Sequence, residues 1–343
     1  MKEHPMWEAG CSALSWSTQD GKHLFARNMD FTGMAPGTSV TFAPRGSAYE
    51  LCSGQPSGYR AQYAAVGIGL MAGQPILYEG VNEHGLTGAQ LYYRCFAHYP
   101  DSARPDTKPI QPPMLVYHLL AQCQSVHEAA EMLEHDLTLV SVPMMGAVPT
   151  LHWMFSDRTG ESMVVESDAD GLHIYRDAVG VMTNSPSYAW HRLNLLNYAG
   201  IRDLDYGERT LCGNHLEPCF SGSGAQGIPG DWSSPSRFVR LCMLREYGRK
   251  GKDEQSGVAR IFRLMESAAF PLGMVRVSEE REDDSAFDTT LYTSVACAES
   301  GRFYWTTYEN QNIQYVDLKT LCERDTPVQF DLKTEPDFQL RCE

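Results

Sequence analysis

The sequence predicts a layered α+β protein with mostly antiparallel sheets. Strand-like and helix-like stretches fall in separate blocks (strands, two helices, strands, helices, strands) instead of alternating one by one. Neighbouring strands in the first and third blocks are joined by short turns of hairpin type. Of the 343 residues, 43% are hydrophobic, enough to bury a full core within one large domain.

The first block opens at Cys11. Residues 11–17, 22–27 and 38–43 read as strands, with Gln19-Asp20-Gly21 a turn between the first two. Residues 64–70 alternate, 76–78 lead into the turn-rich 80–85, and 86–93 form another strand. After a Pro-rich loop, Pro112-Pro113 open a helix, and Ser125-x-x-Glu128 reads as a capping box that starts a second one. Strand signals return at 152–155 and 162–166 around the turn 157–160, then at 172–175 and 180–183. Residues 190–198 read as helical. Residues 200–232 are Gly-rich and lack a period, which marks a functional loop or an assembly arm. Ser234-Pro235 starts a helix with Pro in its first turn, and another runs from about 258 to 269. Strands at 288–297, 301–308 and 313–316 complete the pattern.

The net charge of −15 argues against nucleic acid or an anionic membrane as partner. No stretch reaches the ~18 apolar residues of a membrane span. Residues 1–10 are too short and polar for a secretory signal, so a cytoplasmic protein is expected. The ten cysteines include no C-x-x-C pair, which excludes zinc-ribbon and thioredoxin readings. The histidines match no ligand spacing, and no metal or cofactor is expected. Gly222 to Gly227 match G-x-G-x-x-G, but no apolar strand precedes them and no helix follows directly, so they read as a flexible loop. There is no G-x-S-x-G.

What remains is Cys11 with Arg27 and Asp30. A thiol with a free pKa of about 8.5 needs help to ionise at neutral pH. If residues 1–10 are removed, the new α-amine of Cys11, with a pKa of roughly 7.7–8.0, can take the thiol proton. A guanidinium would favour the thiolate, and a carboxylate would hold the amine. Arg27 and Asp30, three apart at the end of a neighbouring strand, could supply both. Taken alone, these residues fit an ordinary strand cysteine beside surface charges better.

The distant blocks change that balance. Cys11-Ser12-Ala13-Leu14-Ser15 followed by Leu24-Phe25-Ala26-Arg27-Asn28-Met29-Asp30-Phe31 resembles the start of mature choloylglycine hydrolase family enzymes, the N-terminal-nucleophile cysteine amidases. Residues 78–86, the run Met182-Thr183-Asn184-Ser185-Pro186 with Trp190-His191, and residues 227–238 are similar to later family segments in the right order. The resemblance implies an αββα sandwich of N-terminal-nucleophile hydrolases. It implies a leader over residues 1–10, with Met6 an alternative start, and a single domain over 11–343. Cys11 matches the nucleophile, and Arg27 and Asp30 match the pair beside it. Asn184 matches the oxyanion asparagine, and Arg237 the arginine near the scissile centre. Asn82 reads as a turn residue. Tyr92, in Leu91-Tyr92-Tyr93, looks like the tyrosine of Gram-positive penicillin V acylases, where bile salt hydrolases typically carry asparagine; its N–H would complete the oxyanion hole. Phe31, Tyr92, Met144 and Met145 are expected to line the acyl pocket. The function implied is hydrolysis of phenoxymethylpenicillin-like N-acyl amides. The alternatives are conjugated bile salts, N-acyl homoserine lactones, or an unprocessed binding scaffold. The family is usually tetrameric, so a homotetramer is expected, with 200–232 as its arm.

Overall fold

The computed structural model describes residues 10–341. The expected leader therefore lies, apart from Gly10, outside the described residues. Two sheets form the centre. The first holds strands β1 (Cys11–Ser17), β2 (His23–Phe31), β10 (Val181–Met182), β11 (Phe287–Cys297), β12 (Arg302–Thr307) and β13 (Gln314–Asp317). They run in the order β10-β1-β2-β11-β12-β13, with the short strand Val275–Arg276 beside β11. The second sheet holds β3 (Ser39–Ala43), β4 (Ala65–Met71), β5 (Pro75–Asn82), β6 (Thr87–Tyr92), β7 (Leu151–Ser156), β8 (Ser162–Asp168), β9 (Gly171–Tyr175) and β14 (Val328–Phe330). Its order is β9-β8-β7-β6-β5-β4-β3-β14. Every pairing within these two sheets is antiparallel.

The sheets face each other through Val40, Val66, Ile68 and Val81 against Ala296, Phe303 and Trp305. Helices α1 (Leu115–Gln122) and α2 (Val126–His135) cover the second sheet, packing Leu119, Leu120 and Leu133 on Leu77, Trp153 and Val165. On the first sheet, α4 (Ser234–Tyr247) and α5 (Glu254–Glu266) pack Phe238, Leu241 and Ile261 with Leu14, Trp16 and Leu24. The result is the expected four-layer αββα sandwich. A further helix, α3 (Tyr188–Asn194), leads into a 3-10 turn at Leu195–Tyr198.

Most sequence expectations hold within two or three residues, and three differ instructively. β2 does not end at residue 27 but runs on to Phe31. Ser125 caps α2 by accepting the Glu128 N–H at 3.2 Å, but Glu128 reaches back to the Gln124 N–H at 2.8 Å, one residue before the cap. Helix α5 begins at Glu254, not 258, because Asp253 and Ser256 form a reciprocal capping box there. Within 200–232, a small exposed hairpin pairs Arg209–Leu211 with Asn214–Leu216.

Candidate active site

Cys11 is the first residue of β1 and is buried. The pleat decides its neighbours. Cys11 pairs with Met29 and Ala13 with Arg27, so Arg27 lies on the thiol's face of the sheet. Arg27 Nη2 donates to Cys11 Sγ at 3.3 Å. Asp30 stands an odd number of residues away and therefore projects to the opposite face. The expectation that Arg27 and Asp30 flank the thiol together from a strand end is corrected here. Both sit inside β2, one towards the partner sheet and one towards the helix layer.

On that helix side Asp30 meets Arg237 from α4, with Nη1 to Oδ2 at 3.8 Å, and accepts a hydrogen bond from Thr290. Asp30 Oδ2 is buried without a hydrogen-bond partner among the described residues. Arg237 also donates to the Cys11 carbonyl, to Ser12 Oγ at 2.7 Å and to Asn184 Oδ1 at 2.7 Å. The same Oδ1 accepts the Cys11 N–H at 2.9 Å, and Asn184 Nδ2 donates to the Tyr92 carbonyl at 2.9 Å. Asn184 is pinned by its backbone as well. Its N–H donates to Ser234 Oγ, and its carbonyl accepts from Ser234 Oγ and His191 Nε2, each at 2.9 Å. Cys11, Arg27, Asp30, Tyr92, Asn184 and Arg237 thus form one connected cluster from four separate parts of the chain.

The electrostatics follow from burial. Desolvation pushes the Cys11 thiol above its ordinary value, the Arg27 guanidinium opposes this, and the Asp30 charge adds to it. With Gly10 attached, the thiol is held protonated and requires a base to react. Gly10 itself is confined. Its carbonyl accepts the Asp30 N–H at 3.1 Å, and a Cβ on it would lie 2.7 Å from the ring of Phe270. Phe270 is buried, its backbone is tied to Thr290 and Thr289, and its ring faces the Arg237 guanidinium at 4.9 Å.

The thiol opens onto a cavity of about 150 Å³ lined by Met29, Phe31, Met34, Tyr78, Tyr92, Met144, Met145 and Tyr292, among others. All four residues expected to wall an acyl pocket are there. Met144 is buried, whereas Met145 is 71% exposed on the rim. Asn82, expected in a turn after residue 78, is instead the buried last residue of β5, which runs on through 80–82; its side chain accepts the N–H groups of His84 and Leu86 and donates to the carbonyls of Leu120 and Cys123.

Sequence reasoning missed Glu79. It is buried at 1% exposure, ion-paired with Arg27, and accepts from Ser294 Oγ at 3.3 Å. Tyr292, whose hydroxyl accepts from Arg27 at 2.9 Å, was missed too. The available signal was a glutamate inside an otherwise apolar strand, Pro75–Asn82.

This is the geometry of an amide hydrolase built on a strand-terminal cysteine. A family model described as linear amide C–N hydrolases, choloylglycine hydrolase family, matches residues 11–326, and the chain belongs to that family. It is 34% identical over 311 residues to a bile salt hydrolase/transferase of Clostridium perfringens, covering 90% of this chain and 92% of that one. A bile salt hydrolase/transferase of Bifidobacterium longum is 33% identical, with 89% and 94% covered. Among solved structures, a variant of the conjugated bile acid hydrolase from C. perfringens superposes with a TM-score of 0.86 at 30% identity, covering 96% and 99%. A penicillin V acylase from Agrobacterium tumefaciens superposes at 0.74 with 19% identity, covering 94% and 92%, a likeness of fold alone.

Proposed function

We propose that the protein hydrolyses conjugated bile salts or closely similar N-acyl amides through a Cys11 thioester. The observation that carries this is the Cys11–Arg27–Asn184–Arg237 cluster opening onto an apolar cavity. Bile salts come first because relatives at 30% to 34% identity over most of the chain are named bile salt or conjugated bile acid hydrolases. This reverses the order expected from Tyr92. Penicillin V-like amides stay as the second reading because the Tyr92 ring walls the cavity.

The mechanism begins with loss of the residues before Cys11. The Cys11 N–H that now donates to Asn184 Oδ1 becomes an α-amine, placed to take the thiol proton. The Cys11 thiolate attacks the acyl carbon. Asn184 Nδ2, with one hydrogen on the Tyr92 carbonyl, offers its second to the oxyanion, and the Tyr92 N–H is the other donor. Each such donor is worth about 3 kcal/mol. The protonated amine then hands its proton to the leaving amine and next activates water against the thioester. Arg27 stabilises the thiolate, and Arg237 holds Asn184 and the Cys11 carbonyl. Asp30, through the oxygen that has no hydrogen bond among the described residues, holds the new amine. Phe31, Tyr92, Met144 and Met145 contact the acyl group. A cytoplasmic homotetramer completes the proposal; among the described residues no helix is long and apolar enough to cross a membrane.

The test is turnover of glycocholate and penicillin V by purified protein and by Cys11→Ser. Faster glycocholate cleavage, abolished in the variant, is expected. Faster penicillin V cleavage restores the second reading, and unchanged turnover in Cys11→Ser removes the mechanism.

A further inference from the structure

Behind the cluster lies a buried polar group with no part in the chemistry above. His152 on β7 pairs with Leu91 on β6, and its side chain points between the sheets. Its exposure is 1%, and that of Glu166 on β8 is nil. Its Nε2 lies 2.9 Å from the carbonyl of Thr183, the residue before Asn184. Its Nδ1 lies 3.1 Å from Glu166 Oε1. The ring of Tyr93, the residue after Tyr92, stacks on it with centroids 4.5 Å apart and planes 7° from parallel. Glu166 is fixed in turn by the Tyr188 N–H at the start of α3.

Because a carbonyl only accepts, Nε2 must carry a hydrogen and donate it. One imidazole therefore touches the neighbour of each oxyanion donor: Thr183 by a hydrogen bond and Tyr93 by stacking. These segments follow the ends of different strands, β6 and β10, and an oxyanion site tolerates little displacement of its donors.

We propose that His152, oriented by Glu166, is a positioning residue that sets the spacing between the Tyr92 N–H and the Asn184 amide. This rests on the amidase reading for its kinetic consequence but not for the structural coupling. The test compares His152→Phe, which keeps an aromatic stack and loses the donor, with His152→Gln, whose amide N–H can reach the Thr183 carbonyl.

Two readouts are taken on the processed protein. The first is kcat and KM on glycocholate. The second is amide hydrogen exchange by mass spectrometry over residues 91–94 and 182–185. His152→Phe should lower kcat at least tenfold with KM within about twofold, and should speed exchange in the 182–185 segment. His152→Gln should recover most of both. Unchanged kcat in both variants, or a Gln variant no better than Phe, overturns the proposal. So does unchanged exchange over 182–185 in the Phe variant. If the wild type cuts no amide while exchange responds as stated, the coupling stands and the amidase reading falls.

Discussion

Arg27 donates to the Cys11 thiol, and its position depends on Glu79. A buried guanidinium is tolerable only when paired, and Glu79 is the carboxylate that pairs it. Burial pushes the Glu79 carboxyl up, while Arg27 pulls it back. Removing that charge leaves Arg27 buried and uncompensated. Glu79→Gln is expected to lose about 3–5 kcal/mol of stability in urea unfolding, and to slow alkylation of Cys11 by iodoacetamide as Arg27 shifts from Sγ. An equally stable variant with unaltered alkylation would refute this role. Local sequence could not reveal the pair, because its members lie on different sheets, 52 residues apart. The meeting of Cys11 with Asn184 and Arg237 was expected from the family resemblance of their distant blocks. The opposite facing of Arg27 and Asp30 needed the true length of β2.

At the level of elements, the proposed cleavage before Cys11 would take place where β1 meets β2. The Asp30 N–H donates to the Gly10 carbonyl, the carbonyl of the bond that the proposed processing would cut. A Cβ at position 10 would run into the Phe270 ring, which would have to shift to admit a larger residue. Gly10→Val should therefore retain its leader for much longer than wild type when followed by intact mass, and release of an N-terminal cysteine by an engineered protease site should restore turnover. Cleavage at the wild-type rate would contradict the account. Helices α1 and α3 carry a second prediction. Burial holds His118 and His191 neutral, down at about 3 and about 4. An unfolded chain protonates its histidines near pH 6.5. Between that value and the folded ones, the unfolded state binds the extra protons, so stability falls as pH drops through this window. The slope is about 1.4 kcal/mol per pH unit for each histidine. Urea midpoints at pH 7 and pH 5 should show the loss, and His118→Gln should show less of it. Equal losses in the two proteins would exclude His118 as a source. Most strands and helices were legible because period and turn chemistry are local. The start of α5 was missed because its cap is Asp253 with Ser256, not a Ser/Thr with Glu.

For the whole molecule, the layered α+β class was readable from the segregated blocks of strands and helices, and the αββα sandwich from the family resemblance. The order of substrates was not readable. A single position, Tyr92, pointed to penicillin V, whereas similarity spread over 90% of the chain points to bile salts. Tyr92 is one of many residues in the cavity wall that runs from Met29 to Tyr292. The central claim is that a Cys11 freed at its amine forms the acyl-enzyme. The most direct measurement is intact mass of the protein quenched in acid during glycocholate turnover. The account predicts a chain that begins at Cys11 and carries a cholyl mass increment, absent in Cys11→Ala. A fully active preparation that keeps the residues before Cys11 and gains no acyl mass would contradict it.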